Sequence, residues 1–168
     1  MFVDEIIRTE VKHLEKIIVV SPGAADEKKR WSEEGFARVC DSVINDHRGS
    51  VVFVGDEVDK EGVARIQSRM RHRAVDLSGR ATLLQVGYLL SRAKLLISND
   101  SAPMHLASYL NVPVVALFGP TNPRRYGPWS EGSVVVKKEG LSDSVEDRDY
   151  MHLIKAEDVL PAVASQLK

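Results

Sequence analysis

Five short apolar runs constrain this chain more than any other feature: each stops at a group of small or polar residues, and four lead on into a helical pattern. They are Ile17-Ile18-Val19-Val20, Val51-Val52-Phe53-Val54, Ala74-Val75-Asp76-Leu77, Leu95-Leu96-Ile97 and Val114-Val115-Ala116-Leu117-Phe118. Runs that are apolar at nearly every position fit strands buried on both faces, and strands alternating with helices pair in parallel. The expected fold class is therefore α/β, a Rossmann-like open parallel sheet with helices on both faces. Ser133-Val134-Val135-Val136 reads as a sixth strand. Helices are expected over residues 2–15, 32–47, 57–70, 82–92, 102–110 and 156–167.

The groups that end the five runs are Ser21-Pro22-Gly23, Gly55-Asp56-Glu57, Ser78-Gly79, Asp100-Ser101 and Gly119-Pro120-Thr121. In an open α/β sheet the carboxyl ends of the strands line the ligand crevice. Turn chemistry alone accounts for the glycines, but less well for Asp100 together with His105. Around Asp100 a buried strand gives way to a helix, and Asp100 or Ser101 is expected to cap that helix. Pro103 suits its first turn. The remaining free N–H groups form an anion site, with His105 beside it as a donor to phosphate. The competing reading is a plain cap with a satisfied histidine.

The loop from Ser21 to Trp31 is the second candidate. Gly23-Ala24-Ala25 lets the backbone approach a ligand, and Lys28, Lys29 or Arg30 can reach a phosphate; the alternative is a solvated basic loop. Glu57 is in position to accept hydrogen bonds from ribose hydroxyls, as acidic residues do in nucleotide sites. Its alternative is an acidic residue that merely complements a helix N-terminus. In the segment Gly119 to Trp129, Thr121 and Arg124-Arg125 are candidates to line the crevice, the safer reading being a rigid Pro-rich loop, and residues 137–148 read as the loosest stretch.

Bulk properties exclude several classes. The 168 residues suffice for one domain with a sizeable core, and a net charge of −1 shows no basic excess toward nucleic acid. Arg69-Met70-Arg71-His72-Arg73 reads as a solvated helix end. The single cysteine, Cys40, cannot form an internal disulfide and is expected as a buried thiol, in keeping with a reducing compartment. No apolar run reaches the roughly 18 residues a membrane span needs, and Asp4, Glu5 and Glu10 are unlike a secretory signal. A cytoplasmic location is expected. No G-x-G-x-x-G, P-loop, paired-cysteine site or G-x-S-x-G elbow occurs, and the histidines lack metal-ligand spacing. Dehydrogenase, NTPase, zinc-enzyme and serine-hydrolase readings fall away, and neither a metal nor a cofactor is expected.

Asp100-Ser101-Ala102-Pro103-Met104-His105-Leu106-Ala107, followed by Val112-Pro113-Val114-Val115-Ala116-Leu117-Phe118-Gly119-Pro120-Thr121-Asn122-Pro123, resembles the family 9 glycosyltransferases, which include the lipopolysaccharide heptosyltransferases. Pro22-Gly23-Ala24 through Lys29-Arg30-Trp31 resembles their donor loop, and Gly55 and Asp76-Leu77-Ser78-Gly79 fall in order. The resemblance covers residues 15 to 168. It implies the C-terminal, donor-binding half of a GT-B arrangement, in which two Rossmann-like domains face a cleft. Residues 1–15 then resemble the interdomain helix, its apolar face in need of a partner surface, and 16–168 the nucleotide-sugar-binding domain.

By the same resemblance Asp100, Ser101, Ala102 and His105 border the diphosphate and sugar of an ADP-sugar. Gly23, Ala24, Ala25 and a lysine at 28 or 29 contact phosphate, and Glu57 the ribose. The family's donor loop often carries threonine or serine where this chain has Ala24-Ala25, so those hydroxyls are missing. The family's candidate base lies in the N-terminal acceptor domain, so no catalytic residue is assigned here. Without that domain this half is expected to bind donor for inverting transfer to a lipopolysaccharide-core acceptor but not to transfer it. The expected partners are a nucleotide sugar and a separate acceptor-binding half, with peripheral inner-membrane association and no nucleic acid. Two other readings stay open. One is a non-enzymatic interaction module or decayed half-enzyme, indifferent to nucleotides. The other is a nucleotide-sugar epimerase-like half, which would need its own catalytic carboxylates.

Overall fold

The computed structural model describes residues 2–140 and 146–168. Six strands form one parallel sheet in the order β3-β2-β1-β4-β5-β6. They are β1 (Ile17–Ser21), β2 (Ser50–Phe53), β3 (Val75–Asp76), β4 (Leu95–Asn99), β5 (Val114–Leu117) and β6 (Val134–Val136). The helices are α1 (Phe2–Glu10), α2 (Glu33–Asn45), α3 (Lys60–Arg69), α4 (Leu83–Ser91), α5 (Ala102–Tyr109), α6 (Pro123–Tyr126), α7 (Tyr150–Leu153) and α8 (Ala156–Gln166).

The two-residue period of a strand divides the apolar runs between two cores. Ile18 and Val20, Val51 and Phe53, Leu95 and Ile97, and Val115 and Leu117 join one cluster with α2, α3 and α8. Ile17 and Val19, Val52 and Val54, Leu96, and Val114 and Ala116 join the other with α1, α4 and α5. This is the expected fold class, with both sheet faces covered.

The first helix departs from expectation. It ends at Glu10, and the chain then turns so that the His13 N–H donates to Ser50 Oγ at 2.9 Å. Val3, Ile6, Ile7 and Val11 are buried in the domain's own second core, whereas Leu14 is 50% exposed. The apolar face of α1 therefore finds its partner surface within this chain. Just past α2, Arg48 rather than the following Gly49 takes the left-handed conformation, at φ 52°. Gly49 is small for a different reason: a Cβ there would lie 2.6 Å from Ile18 Cδ1 and 2.8 Å from Val43 Cγ1.

The Pro-rich stretch contains the short helix α6, capped by the Asn122 carboxamide accepting from the Arg124 N–H. Of the segment expected to be loose, residues 141–145 lie outside the described residues. Lys137 Nζ donates to the Thr121 carbonyl at 2.9 Å and Lys138 pairs with Asp158 at 2.8 Å, so the start of that segment is tied down. No helix among the described residues is long and apolar enough to cross a membrane.

Cys40 lies fully buried in α2, and burial, with a smaller contribution from Asp41, pushes its thiol far above the ordinary value. Since the thiolate is the reactive form, the folded chain is expected to resist a thiol-directed dye and to react in parallel with global unfolding. Stoichiometric labelling of the folded chain at neutral pH would contradict the buried placement.

Candidate functional site

Strand order reverses between β1 and β4, where the connections diverge to opposite sides and leave a crevice above the carboxyl ends of the strands. A cavity of about 640 Å³ opens there. It is lined by the loop after β1, the turn after β2, the start of α4, and the junction between β4 and α5.

The β4–α5 junction forms its floor. Ser98 and Asn99 are fully buried, and Asp100 is 7% exposed. Asn99 ties the two loops together: its carboxamide accepts from the Trp31 N–H at 3.2 Å and donates to the Pro22 carbonyl at 2.7 Å. The side-chain cap expected from Asp100 or Ser101 is not made. Ser101 stands at the cap position, but its hydroxyl lies 3.3 Å from the Asn99 carbonyl, to which it donates, and 3.2 Å from Ser98 Oγ. The first turn of α5 thus meets the crevice without a side-chain acceptor over its N–H groups, the arrangement that favours an anion. His105, one turn in, also lines the crevice and stacks on Trp129 with ring centroids 5.8 Å apart.

The loop after β1 crosses the crevice between its two neighbours. A single turn of 3-10 helix over Glu27–Lys29, capped by Asp26 on the Lys28 N–H, sets the direction of its side chains. Lys29 points inward, its Nζ 2.8 Å from Asp100 Oδ2, whereas Lys28 lies outside the lining. Arg30 turns the other way. Its Nε donates to the Ala24 carbonyl at 2.8 Å, and its guanidinium lies 3.2 Å from Asp59 Oδ1.

Asp59 is a site residue that the sequence reading missed. Its side chain is 10% exposed and accepts from the Asp56 N–H at 3.0 Å. It fills the space above two glycines: a Cβ at Gly23 would strike its carboxylate, and one at Gly55 would lie 2.8 Å from its Cβ. Glu57, the expected ribose acceptor, does not line the crevice. Its carboxylate is 73% exposed and is held by Lys60 at 2.7 Å.

Of the residues singled out in the sequence, Gly23, Ala24, Ala25, Lys29, Arg30, Asp100, Ser101, Ala102 and His105 come together around one cavity, while Lys28 and Glu57 do not. Thr121, Arg124 and Arg125 also lie outside it. One wall is apolar, made of Val58, Ala81, Leu83 and Val86, with Val58 78% and Leu83 69% exposed. Among the described residues no group of three or more histidine, cysteine or acidic side chains is arranged to hold a metal ion.

Comparison with known proteins gives a consistent picture. Residues 6–154 match the family described as glycosyltransferase family 9 (heptosyltransferase). A lipopolysaccharide heptosyltransferase 3 of Escherichia coli is 31% identical over 170 residues, covering 94% of this chain and 49% of that protein. The structure of E. coli ADP-heptose lps heptosyltransferase II superimposes with a TM-score of 0.84 at 26% identity, covering 96% of this chain and 49% of its own. A family 9 glycosyl transferase from Veillonella parvula gives a TM-score of 0.86 at 30% identity, covering 99% and 50%. The chain spans about half the length of these proteins.

Proposed function

This chain belongs to glycosyltransferase family 9, and we propose that its crevice binds an ADP-sugar as donor for inverting transfer to a lipopolysaccharide-core acceptor. One observation carries the reading. At the switch point of the sheet, the uncapped first turn of α5, the Lys29 ammonium and the His105 ring converge on one cavity beside the buried Asp100. Backbone N–H groups at a helix start, backed by a cation, form a diphosphate site. The E. coli relative of known structure is an ADP-heptose heptosyltransferase, and we carry ADP-heptose to this chain as the donor.

In this reading the diphosphate takes the α5 amides, Lys29, His105 and the backbone of Gly23, Ala24 and Ala25. The sugar lies against Asp100, Ser101 and Ala102. The base rests on the apolar wall of Val58, Ala81 and Leu83. Asp59 replaces Glu57 as the carboxylate within reach of the ribose, because it alone of the two lines the cavity.

In transfer, an acceptor hydroxyl attacks the anomeric carbon while the bond to the diphosphate oxygen breaks, so negative charge builds on the departing ADP. Lys29, His105 and the helix amides are aimed at that charge and stabilise it. The proton of the attacking hydroxyl passes to a base that we assign to an acceptor-binding half, which is the expected partner. The 168 residues by themselves are expected to bind donor without transferring it. We assign the domain to the cytoplasm, a reducing compartment that suits its unpaired thiol.

Calorimetric titration of the folded chain with ADP tests the assignment. Saturable heat is expected, with affinity reduced about tenfold by His105→Ala through loss of a charge-assisted contact to phosphate. A flat titration of the folded, unsubstituted chain overturns it.

A further inference from the structure

We propose that Lys29 and Asp100 form an exchange pair that makes the crevice prefer an intact sugar nucleotide over the free nucleoside diphosphate. The inference rests on the donor-site reading above and names what selects within that site.

Two consecutive cations of the central loop are each set against a buried carboxylate on opposite sides of the crevice: Lys29 on Asp100 toward β4, and Arg30 on Asp59 toward β2. Among the described residues, Asp100 Oδ2 and Asp59 Oδ1 are the buried side-chain oxygens that lack an aligned hydrogen bond. Each has its cation close by, Lys29 Nζ at 2.8 Å and the Arg30 guanidinium at 3.2 Å. Each cation thus offsets the carboxylate it faces, while Asp26 and Asp56 also line the crevice.

The two cations differ in how firmly they are held. The two side chains are similarly exposed, Lys29 at 30% and Arg30 at 36%, but Arg30 is also anchored through Nε to the Ala24 carbonyl, whereas Lys29 meets Asp100 through its ammonium. Lys29 is thus the cation free to change partners. A diphosphate arriving at the start of α5 draws the ammonium toward itself. Asp100, with its side chain 6% exposed, is then a buried anion facing a second anion with its counterion gone. Leaving one member of a buried pair uncompensated is strongly unfavourable.

A ligand whose other end carries hydroxyl groups cancels that penalty, because a sugar O–H donates to Asp100 Oδ2 as Lys29 leaves it. Free ADP brings the charge without the hydroxyls. Asp100 therefore acts as a specificity-determining residue. It admits the intact donor, and once the sugar has gone it draws Lys29 back and weakens the hold on ADP.

Titrations with ADP and with ADP-heptose of the unsubstituted chain and of Asp100→Asn test the pair, with folding checked by circular dichroism. The unsubstituted chain is expected to favour ADP-heptose by about tenfold, the scale of one unpaired buried group. In Asp100→Asn the preference is expected to shrink to about threefold or less, because ADP binds more tightly once the competing carboxylate is gone. Asp100→Ser gives the same comparison if the asparagine variant does not fold. Weaker ADP binding in either folded variant, or an unchanged preference, overturns the exchange while leaving the donor site intact. Equal affinity of the unsubstituted chain for the two ligands does the same. Failure of that chain to bind either ligand overturns the donor-site reading itself.

Discussion

Trp31→Ala is expected to lower the unfolding free energy by about 3–5 kcal/mol, the range for deleting a large buried aromatic. The indole is 4% exposed and packs edge-on against Phe36, with ring centroids 5.0 Å apart and planes at 70°. Its six-membered ring occupies the space a Cβ would take at Gly35, which accounts for a glycine in the first turn of α2. Nε1 donates to the Ile154 carbonyl at 2.9 Å, across 123 positions of chain. Truncation thus opens a cavity and strands an acceptor on a residue that is 2% exposed. Urea denaturation should show a lower midpoint at an unchanged slope. Trp31→Phe, which keeps most of the volume but not the donor, should fall between the two. A loss below about 1 kcal/mol for the alanine variant would place the indole outside the cooperative core.

The second large effect is expected at Asn99. Asn99→Leu keeps the branching and the number of side-chain heavy atoms but removes the carboxamide from its two partners, the Trp31 N–H and the Pro22 carbonyl. Two buried backbone groups lose their hydrogen bonds, at about 1–3 kcal/mol each, so about 2–6 kcal/mol of stability should go. The same change frees both ends of the loop that carries Lys29 and Arg30. Binding of ADP is therefore expected to weaken beyond what the fraction unfolded explains, a comparison that calorimetry at a temperature well below the midpoint makes directly. Stability within about 0.5 kcal/mol of the unsubstituted chain would mean that water replaces the carboxamide.

The strands were legible in the sequence because both faces of the sheet are covered, which leaves Ile17 to Val20 and Leu95 to Ile97 no polar position. The crevice was legible for a related reason: in a parallel sheet every carboxyl end lies on one edge, so chain order alone gathers Gly23, Asp100 and His105. Contacts between loops were not legible. Asp59 reads as an ordinary acidic residue of a first helical turn, and only the folded chain brings it above Gly23 and Gly55. Lys28 and Lys29 are equivalent on paper; the 3-10 turn sends one outward and the other onto Asp100. The absent side-chain cap on α5 was misread because Ser101 has a competing acceptor in the Asn99 carbonyl. The short helix α7 left no periodic signal, since four residues are about one turn.

Both outer strands of the sheet are brief: β3 has two residues and β6 has three. A sheet edge attracts other chains in proportion to the backbone donors and acceptors it leaves unpaired. With so little ladder on offer at either side, this fold gives a second copy few rungs to extend. Strand-by-strand polymerisation is disfavoured, because neither edge offers a ladder long enough to lengthen the sheet.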